Sequence, residues 1–162
     1  MINWLANKRI KQLLQPNQGN FSNWEQIHRV ALVVKSDDHF TKQAIEQWVN
    51  RNKRTVEIFF FDKTAKAPAY NDWHCITSKE LRLGLPLMAL LKGFQANKYD
   101  IVINTMQELD PAMSCIAASL QAPLRCNTLM DKTSPQLIIK RTTESLTAYL
   151  DEVVSYLKMI KN

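Results

Sequence analysis

Two stretches decide the fold: Val-Ala-Leu-Val-Val at residues 30–34 and Ile-Val-Ile at residues 101–103. Short, continuous apolar runs of this kind are typical of strands that are buried on both faces of a parallel sheet. In the common dinucleotide-binding folds, the first such strand leads into a G-x-G-x-x-G turn, which lets the backbone approach a pyrophosphate. Here it leads into Lys-Ser-Asp-Asp-His at residues 35–39. The sequence therefore indicates the fold class without the usual chemical signature.

The rest of the chain alternates strand and helix patterns. Asp37 or Asp38 is predicted to cap the helix after the first strand, and Thr142 or Thr143 the last helix. Further strands are predicted at residues 55–61, 73–77, 99–104, 123–126 and 136–140, and further helices start at Pro86 and Pro111. This order predicts a single three-layer, Rossmann-like α/β domain, with a mostly parallel sheet of about five strands.

An amphipathic helix is predicted before the first strand, at residues 2–14. We divide the chain into this basic N-terminal helix, residues 1–16, and the α/β domain, residues 21–162. Such a helix docks on its own domain or on a second copy of the chain. Alternatively, Lys8, Arg9 and Lys11 attach it to an anionic membrane surface or to RNA.

Several classes of function lack their sequence signature. Only three glycines occur, and none lies in a phosphate-binding loop motif. The cysteines Cys75, Cys115 and Cys126 are widely spaced and odd in number, as expected for free thiols in the cytoplasm. The net charge of +6 comes from scattered residues, with no basic run that would indicate DNA binding. We predict no metal, no cofactor and no membrane-spanning segment.

The aromatic residues raise the question of stacking on nucleic-acid bases. Residues 59–61, Phe-Phe-Phe, lie in a predicted strand and are expected in the core. Trp73 follows a polar loop and is predicted to be the most exposed of the four tryptophans.

Polar residues follow the first and third main strands, where ligands bind in open α/β sheets. The candidate ligand-binding residues are Ser36, Asp37, Asn104, Thr105 and Glu108. The two acidic loops could hold a divalent cation, or Asp38 or Glu108 could act as a general base with His39 as a proton shuttle. The alternative is that these residues only cap helices, and no catalytic residue is assigned.

Two segments carry a family resemblance: Lys-Tyr-Asp-Ile-Val-Ile-Asn at residues 98–104 and Leu-Gln-Ala-Pro-Leu-Arg-Cys-Asn at residues 120–127. With the order of elements, they resemble a family of small bacterial proteins catalogued as a domain of unknown function (6913-type). That family tends to have glycine where this chain has Asn127, a residue that tolerates a left-handed turn. Residues 98–127 are also similar to the N-terminal domain of heptosyltransferase-like glycosyltransferases. Those enzymes bind their sugar nucleotide largely in a second domain, for which this chain has no room.

The sequence leaves the function unknown. It favours a non-catalytic, cytoplasmic α/β domain that acts through contacts with protein partners, which include a second copy of the chain in a homodimer. The first alternative is a small-ligand or nucleotide-sugar binder, or an enzyme, with a polar crevice at the strand ends. The second is attachment of the basic helix to a membrane surface or to RNA.

Overall fold

The structure is a computed structural model that describes residues 1–15 and 22–161. The helices in these residues are α1 (Ile2–Leu13), α2 (Lys42–Asn52), α3 (Met88–Phe94), α4 (Pro111–Ser119) and α5 (Leu146–Met159). The strands are β1 (Arg29–Lys35), β2 (Thr55–Asp62), β3 (His74–Thr77), β4 (Leu81–Arg82), β5 (Leu85–Pro86), β6 (Ile101–Asn104), β7 (Leu124–Asn127) and β8 (Leu137–Ile138). Single 3-10 turns, Trp24–Gln26 and Ser78–Glu80, precede β1 and β4.

The main sheet has the order β3-β2-β1-β6-β7-β8 among the described residues, and all its strand pairs are parallel. It has six strands where the sequence predicts about five, because both short edge strands, β3 and β8, join it. The strand order reverses between β1 and β6, so the switch point lies where these two strands end. β4 and β5 form a separate antiparallel hairpin.

The two faces of the sheet bury alternate side chains of the same strands. In β1, Ala31 and Val33 pack into one core, and Val30, Leu32 and Val34 pack into the other. Residues from α1, α3 and α4 complete the first core, and residues from α2 and α5 complete the second. The predicted Rossmann-like, three-layer fold is confirmed.

The helix that follows β1 begins later than the sequence predicts. Thr41 caps α2, because its Oγ1 accepts the N–H of Ala44 at 3.1 Å. Asp37 and Asp38 lie in the preceding loop, and the prediction that one of them caps this helix is wrong. Asp38 instead has a partner far along the chain, described below.

Two other helix starts also differ from prediction. Ser145 caps α5 by accepting a backbone N–H three residues on, in place of Thr142 or Thr143. Pro86 belongs to β5, so α3 begins at Met88. Proline fixes the backbone angle φ at a value that suits both the first turn of a helix and an edge strand. The position of a proline alone therefore did not identify a helix start.

The N-terminal helix α1 packs against α4 and the β4–β5 hairpin. Its buried residues are Ala6, Ile10 and Leu13, which belong to the same core as α4. Arg9 Nη1 donates a hydrogen bond to the carbonyl of Pro86 at 2.5 Å. The predicted boundaries of the two segments, at residues 16 and 21, lie outside the described residues.

The prediction that Trp73 is the most exposed tryptophan is wrong. Its ring packs against Phe40, Phe60 and Tyr70, with centroid separations of 6.1, 5.8 and 4.4 Å. Trp4, on the outer face of α1, is 66% exposed. Polar neighbours in sequence do not reveal aromatic contacts made across the fold.

Candidate functional site

A cleft of about 230 Å³ lies at the switch point, where β1 and β6 end side by side. Three of the five predicted site residues line this cleft: Asp37, Thr105 and Glu108. Ser36 and Asn104 are not among its lining residues. The structure therefore brings together only part of the predicted set.

Ser36 is directed toward β2 rather than β6. Its backbone N–H donates to the carbonyl of Phe61 at 3.0 Å, which extends the pairing of β1 with β2. Burial by itself raises the pKa of Asp62, but hydrogen bonds from Thr64, Ala65 and the Ser36 hydroxyl outweigh it and lower that pKa. Ser36 thus helps to hold the end of β2.

Asn104 and Thr105 are buried, and their side chains already have partners. The amide oxygen of Asn104 accepts the N–H of Met106 at 3.3 Å. The hydroxyl of Thr105 donates to the carbonyl of Val33 at 2.8 Å, which ties β6 to β1. Asp37 and Glu108 are exposed, so the carboxylates are the predicted groups that a ligand can reach.

Lys35 and Asp110 form an ion pair inside the cleft. Lys35 Nζ lies 2.8 Å from Asp110 Oδ2, while Asp110 Oδ1 caps α4 by accepting the N–H groups of Ala112 and Met113. Burial by itself lowers the pKa of Lys35, but the hydrogen bond and charge of Asp110 outweigh it and raise that pKa. Asp110, which precedes the predicted helix start at Pro111, is thus both the cap of α4 and one half of an ion pair.

Arg141 reaches the loop after β1 from the segment between β8 and α5. Its Nη1 and Nη2 bind the two oxygens of Asp38 at 2.6 and 2.7 Å, and the two side chains are only 5% and 3% exposed. The remaining N–H groups donate to the carbonyls of Thr105, Thr143 and Glu144. All five guanidinium N–H groups therefore have acceptors, as a structural arginine requires.

The cleft and its surroundings hold four carboxylates and two cations. Lys35 and Arg141 each pair with an aspartate, which leaves Asp37 and Glu108 in excess. Asp37 Oδ2 lies 3.9 Å from the same lysine that Asp110 already binds. A negative surplus opposes the binding of nucleotide phosphates.

His39 does not line the cleft. Its backbone carbonyl accepts the N–H of Leu146 at 3.5 Å, where α5 begins. His39, which the sequence paired with Glu108 as a proton shuttle, is thus not among the residues that line the cleft with Glu108.

A second depression lies between α1 and the loop at residues 128–136; we call it the α1 groove. It consists of two cavities of about 460 and 650 Å³ that share Asn7, Ile10 and Lys132 as lining residues. Asp110 lines both the first cavity and the cleft, so the two regions are neighbours. The groove runs along α1 from Asn3 to Gln15.

Asp131 fixes the loop that forms one wall of the groove. Its Oδ2 accepts a hydrogen bond from Ser114 Oγ at 2.5 Å, and its Oδ1 accepts from Asn127 Nδ2 at 3.1 Å. Thr133 adds two more donors, its backbone N–H at 3.0 Å and its hydroxyl. The carboxylate is fully occupied, so the wall is held in place by interactions within the chain.

Two large apolar side chains at the groove are exposed to solvent. Leu109 is 64% exposed and Met130 is 61% exposed, and both line the 460 Å³ cavity. The groove floor beside them includes Ala6 and Pro111. The sequence-based interpretation missed this region, although an apolar residue directly before an aspartate in each of two loops, Leu109 before Asp110 and Met130 before Asp131, was a signal.

The groove also carries positive charge. Lys11 and Lys132 line it, and Lys8 lies one turn from Lys11 on α1, with its Nζ 5.5 Å from the centroid of Trp4. Within residues 1–15 and 22–161, none of these three lysines pairs with a carboxylate. They are therefore free to interact with an acidic group from outside.

Arg125 adds a buried cation to the larger cavity. Its Nη1 and Nη2 donate to the carbonyls of Ala117 and Leu120, at 2.5 and 2.6 Å, and so close the end of α4. Burial lowers the pKa of Arg125 to about 10, against the opposing effect of Asp131. It remains charged at neutral pH, with only carbonyl oxygens as its hydrogen-bond acceptors.

Neither a metal site nor a membrane-spanning helix is found in the part of the chain that the structure describes. No group of three or more histidine, cysteine, aspartate or glutamate side chains there is placed to hold a metal ion. No described helix combines the length and the apolar character needed to cross a membrane.

The fold and these two depressions define a Rossmann-like α/β protein. A model of a family of unknown function, DUF6913, matches residues 3–160, so the chain belongs to that family. No curated protein and no solved structure matches the chain. The function must therefore be argued from the chain's own residues.

Proposed function

We propose that this chain is a non-catalytic α/β domain that binds a protein partner along the α1 groove. The observation that carries this proposal is the exposure of Leu109 and Met130, at 64% and 61%, beside a groove with an apolar floor. Exposed apolar side chains around a depression are typical of protein interaction sites. Trp4, exposed on the outer face of α1, adds a side chain of the type that dominates many interfaces.

The use of the switch-point residues supports a non-catalytic function. Asp38 is bound by Arg141, and Asp110 is bound by Lys35 and by the amides of α4. A general base must reach the substrate proton, and Asp38, one of the two candidate bases, is already engaged. Glu108, the other candidate, is exposed at the cleft, and His39 is not among the residues that line the cleft with it. The interactions of Asp38 and Asp110 serve the fold.

Site-specific photo-crosslinking tests the proposal. Benzoylphenylalanine placed at Met130 is expected to give a discrete protein adduct in living cells. The same residue at Lys66, in an exposed loop away from the groove, is expected to give none. The absence of an adduct at Met130, or equal adducts at both positions, would refute a docking site in the groove.

The partner class includes the homodimer named above. A second copy of the chain would give an adduct of twice the chain's mass, so the same experiment identifies it. Attachment to a membrane surface or to RNA has less support, because Arg9 donates to the carbonyl of Pro86 and Lys11 lines the groove, which leaves Lys8 of the three basic residues.

A cytoplasmic location is proposed from the thiols. All three cysteines are free, and Cys115 and Cys126 are buried. Free thiols persist in a reducing compartment. The bacterial origin stays a proposal that rests on the resemblance alone.

A small-ligand site in the switch-point cleft is a second proposal. It rests on one observation: Asp37, Thr105 and Glu108 line a cleft of about 230 Å³ at the ends of β1 and β6. Ser36 and Asn104 would act only by supporting the strand ends. The negative surplus favours a small cation over the nucleotide sugar that the glycosyltransferase resemblance implies.

A thermal-shift screen tests the cleft. Nucleotides, sugar nucleotides and small organic or divalent cations are added to the wild type and to the Asp37→Ala and Glu108→Ala variants. A shift with a cation that both substitutions abolish supports the site. A shift that persists in both variants, or no shift in the wild type, contradicts it.

A further inference from the structure

We propose that the partner segment bound by the α1 groove is an acidic amphipathic one, an inference that rests on the proposed function and adds the chemistry of the partner. The groove combines apolar depth with unpaired positive charge. A segment with an apolar stripe flanked by carboxylates complements both.

The charge of the groove comes from cations without acidic partners. Lys8, Lys11 and Lys132 have no carboxylate partner within the described residues, and buried Arg125 donates only to carbonyls. The whole chain carries a net charge of +6, which steers an acidic partner toward it.

The two carboxylates of the groove do not pair with the groove lysines. Asp110 is held by Lys35 at 2.8 Å and by two amides of α4. Asp131 accepts hydrogen bonds from the neutral donors Ser114, Asn127 and Thr133, so it keeps its negative charge, which acts on Arg125. Within the described residues Lys8, Lys11 and Lys132 have no carboxylate partner, so their positive charge is available to an acidic segment.

The dimensions of the groove fit a segment of a few helical turns. Its lining within α1 runs from Asn3 to Lys11, which at 1.5 Å per residue corresponds to a length of about 12 Å, and Leu14 and Gln15 continue the lining past the end of the helix. Apolar side chains on one face of a partner helix would lie between Met130 and Ile10. Carboxylates beside that face would meet Lys11 and Lys132 at the groove walls.

A second copy of the chain fits this surface less well. It brings the same positive charge, and a two-fold contact would place the lysines of both copies near each other. An acidic segment removes that repulsion, so charge complementarity selects it.

A designed peptide tests the inference. The probe is a labelled, end-blocked peptide of about 14 residues, with leucines at helical spacing and glutamates on both flanks. The controls are a scrambled peptide of the same composition and a peptide with lysine in place of glutamate. Fluorescence anisotropy measures binding to the full chain.

The variants are matched in charge. In one, Lys8, Lys11 and Lys132 are replaced by glutamate; in the other, three exposed lysines outside the groove are replaced: Lys63→Glu, Lys66→Glu and Lys79→Glu. Both triple substitutions change the net charge equally. Circular dichroism and urea unfolding verify that each variant is folded.

The wild type is expected to bind the probe at least about tenfold more tightly than it binds either control peptide. The groove variant loses at least about tenfold in affinity, the matched variant retains its affinity, and binding weakens as salt is raised. Equal losses in the two variants, equal binding of the scrambled peptide, or no binding by the wild type would overturn the inference. So would a dimer in sedimentation that the groove variant abolishes, or variant-dependent binding to anionic vesicles without binding to the probe.

The crosslinking experiment separates this inference from the proposed function. If the adduct at Met130 forms and persists when the three groove lysines are reversed, the docking site stands and the acidic partner is wrong. If the adduct is lost when the three lysines are reversed, both the docking site and the acidic partner are supported. If no adduct forms in the wild type, both fail.

Discussion

The switch-point cleft and the α1 groove are neighbours that share Asp110, yet their polar side chains are used in opposite ways. At the cleft, Lys35 and Arg141 form ion pairs with carboxylates of the same chain, Asp110 and Asp38. At the groove, the lysines are unpaired and large apolar side chains reach solvent. Whether a depression can bind a partner therefore depends less on its position in the fold than on how many of its side chains lack a partner within the chain.

The largest expected effect is the loss of Arg141. In the Arg141→Ala variant, Asp38 stays buried without its counter-ion, so we expect the free energy of unfolding to fall by about 3–5 kcal/mol. Arg51→Ala is the control, because Arg51 and Asp151 form an exposed pair that we expect to contribute less than about 1 kcal/mol. Urea unfolding measures both. Equal losses would show that the cleft does not depend on this pair.

A pair of methionine substitutions compares the two regions directly. Met113 lines the cleft and is fully buried, so Met113→Ala is expected to cost about 2–5 kcal/mol. Met130 lines the groove and is exposed, so Met130→Ala is expected to change stability by less than about 0.5 kcal/mol. Thermal and urea unfolding measure the difference. A large cost at Met130 would mean that the groove rim supports the fold rather than a partner.

The ion pair of Lys35 predicts a pH dependence. The pKa of Lys35 is raised in the folded state, so its contribution to stability is complete below the ordinary pKa of 10.5 and is lost as pH rises through the folded value. Stability of the wild type should therefore fall more steeply in this alkaline range than stability of Lys35→Gln. Urea unfolding from pH 9 to about pH 11.5 measures this. Lys132→Gln is the control, because Lys132 is exposed and forms no described ion pair, and identical slopes in all three proteins would contradict the prediction.

Thiol reactivity gives the smallest effect and reports on α1. Cys115 lies beneath α1, with its Sγ 3.8 Å from the carbonyl oxygen of Ala6, and burial raises its pKa to about 12. Cys75 is only partly buried. An alkylating reagent at neutral pH should therefore modify Cys75 first and leave Cys115 unmodified in the folded protein. Mass spectrometry of the digested protein assigns the sites, with Cys75→Ser as control. If Cys115 reacted as fast as Cys75, the packing of α1 over Cys115 would not protect this thiol from the reagent.

Local patterns were sufficient for the central strands and for the start of α4. The apolar runs at residues 30–34 and 101–103 and the proline at residue 111 act through near neighbours, and each element was predicted. Asp38 was misassigned because its partner, Arg141, is distant in the sequence and the two side chains meet only in the folded structure. No local rule connects these two residues.

The candidate site was predicted less completely than the fold. The switch point follows from the order of strands, but the buried roles of Asn104 and Thr105 depend on contacts with Met106 and Val33. One wall of the α1 groove is the N-terminal helix and the other is the loop at residues 128–136. These two segments are distant in sequence, so the walls come together only in the folded state. Leu109 and Met130 were visible in the sequence, and their exposure was not.

The shortness of the outer strands has a consequence for how copies of this protein meet. β3 has four residues and β8 has two, so each edge of the sheet presents few backbone groups that could pair with another chain. Long, flat edges invite intermolecular strand addition and aggregation, and short ones resist it. Edge-to-edge growth of the sheet is therefore suppressed, which leaves recognition of other proteins to side chains on the helical layers.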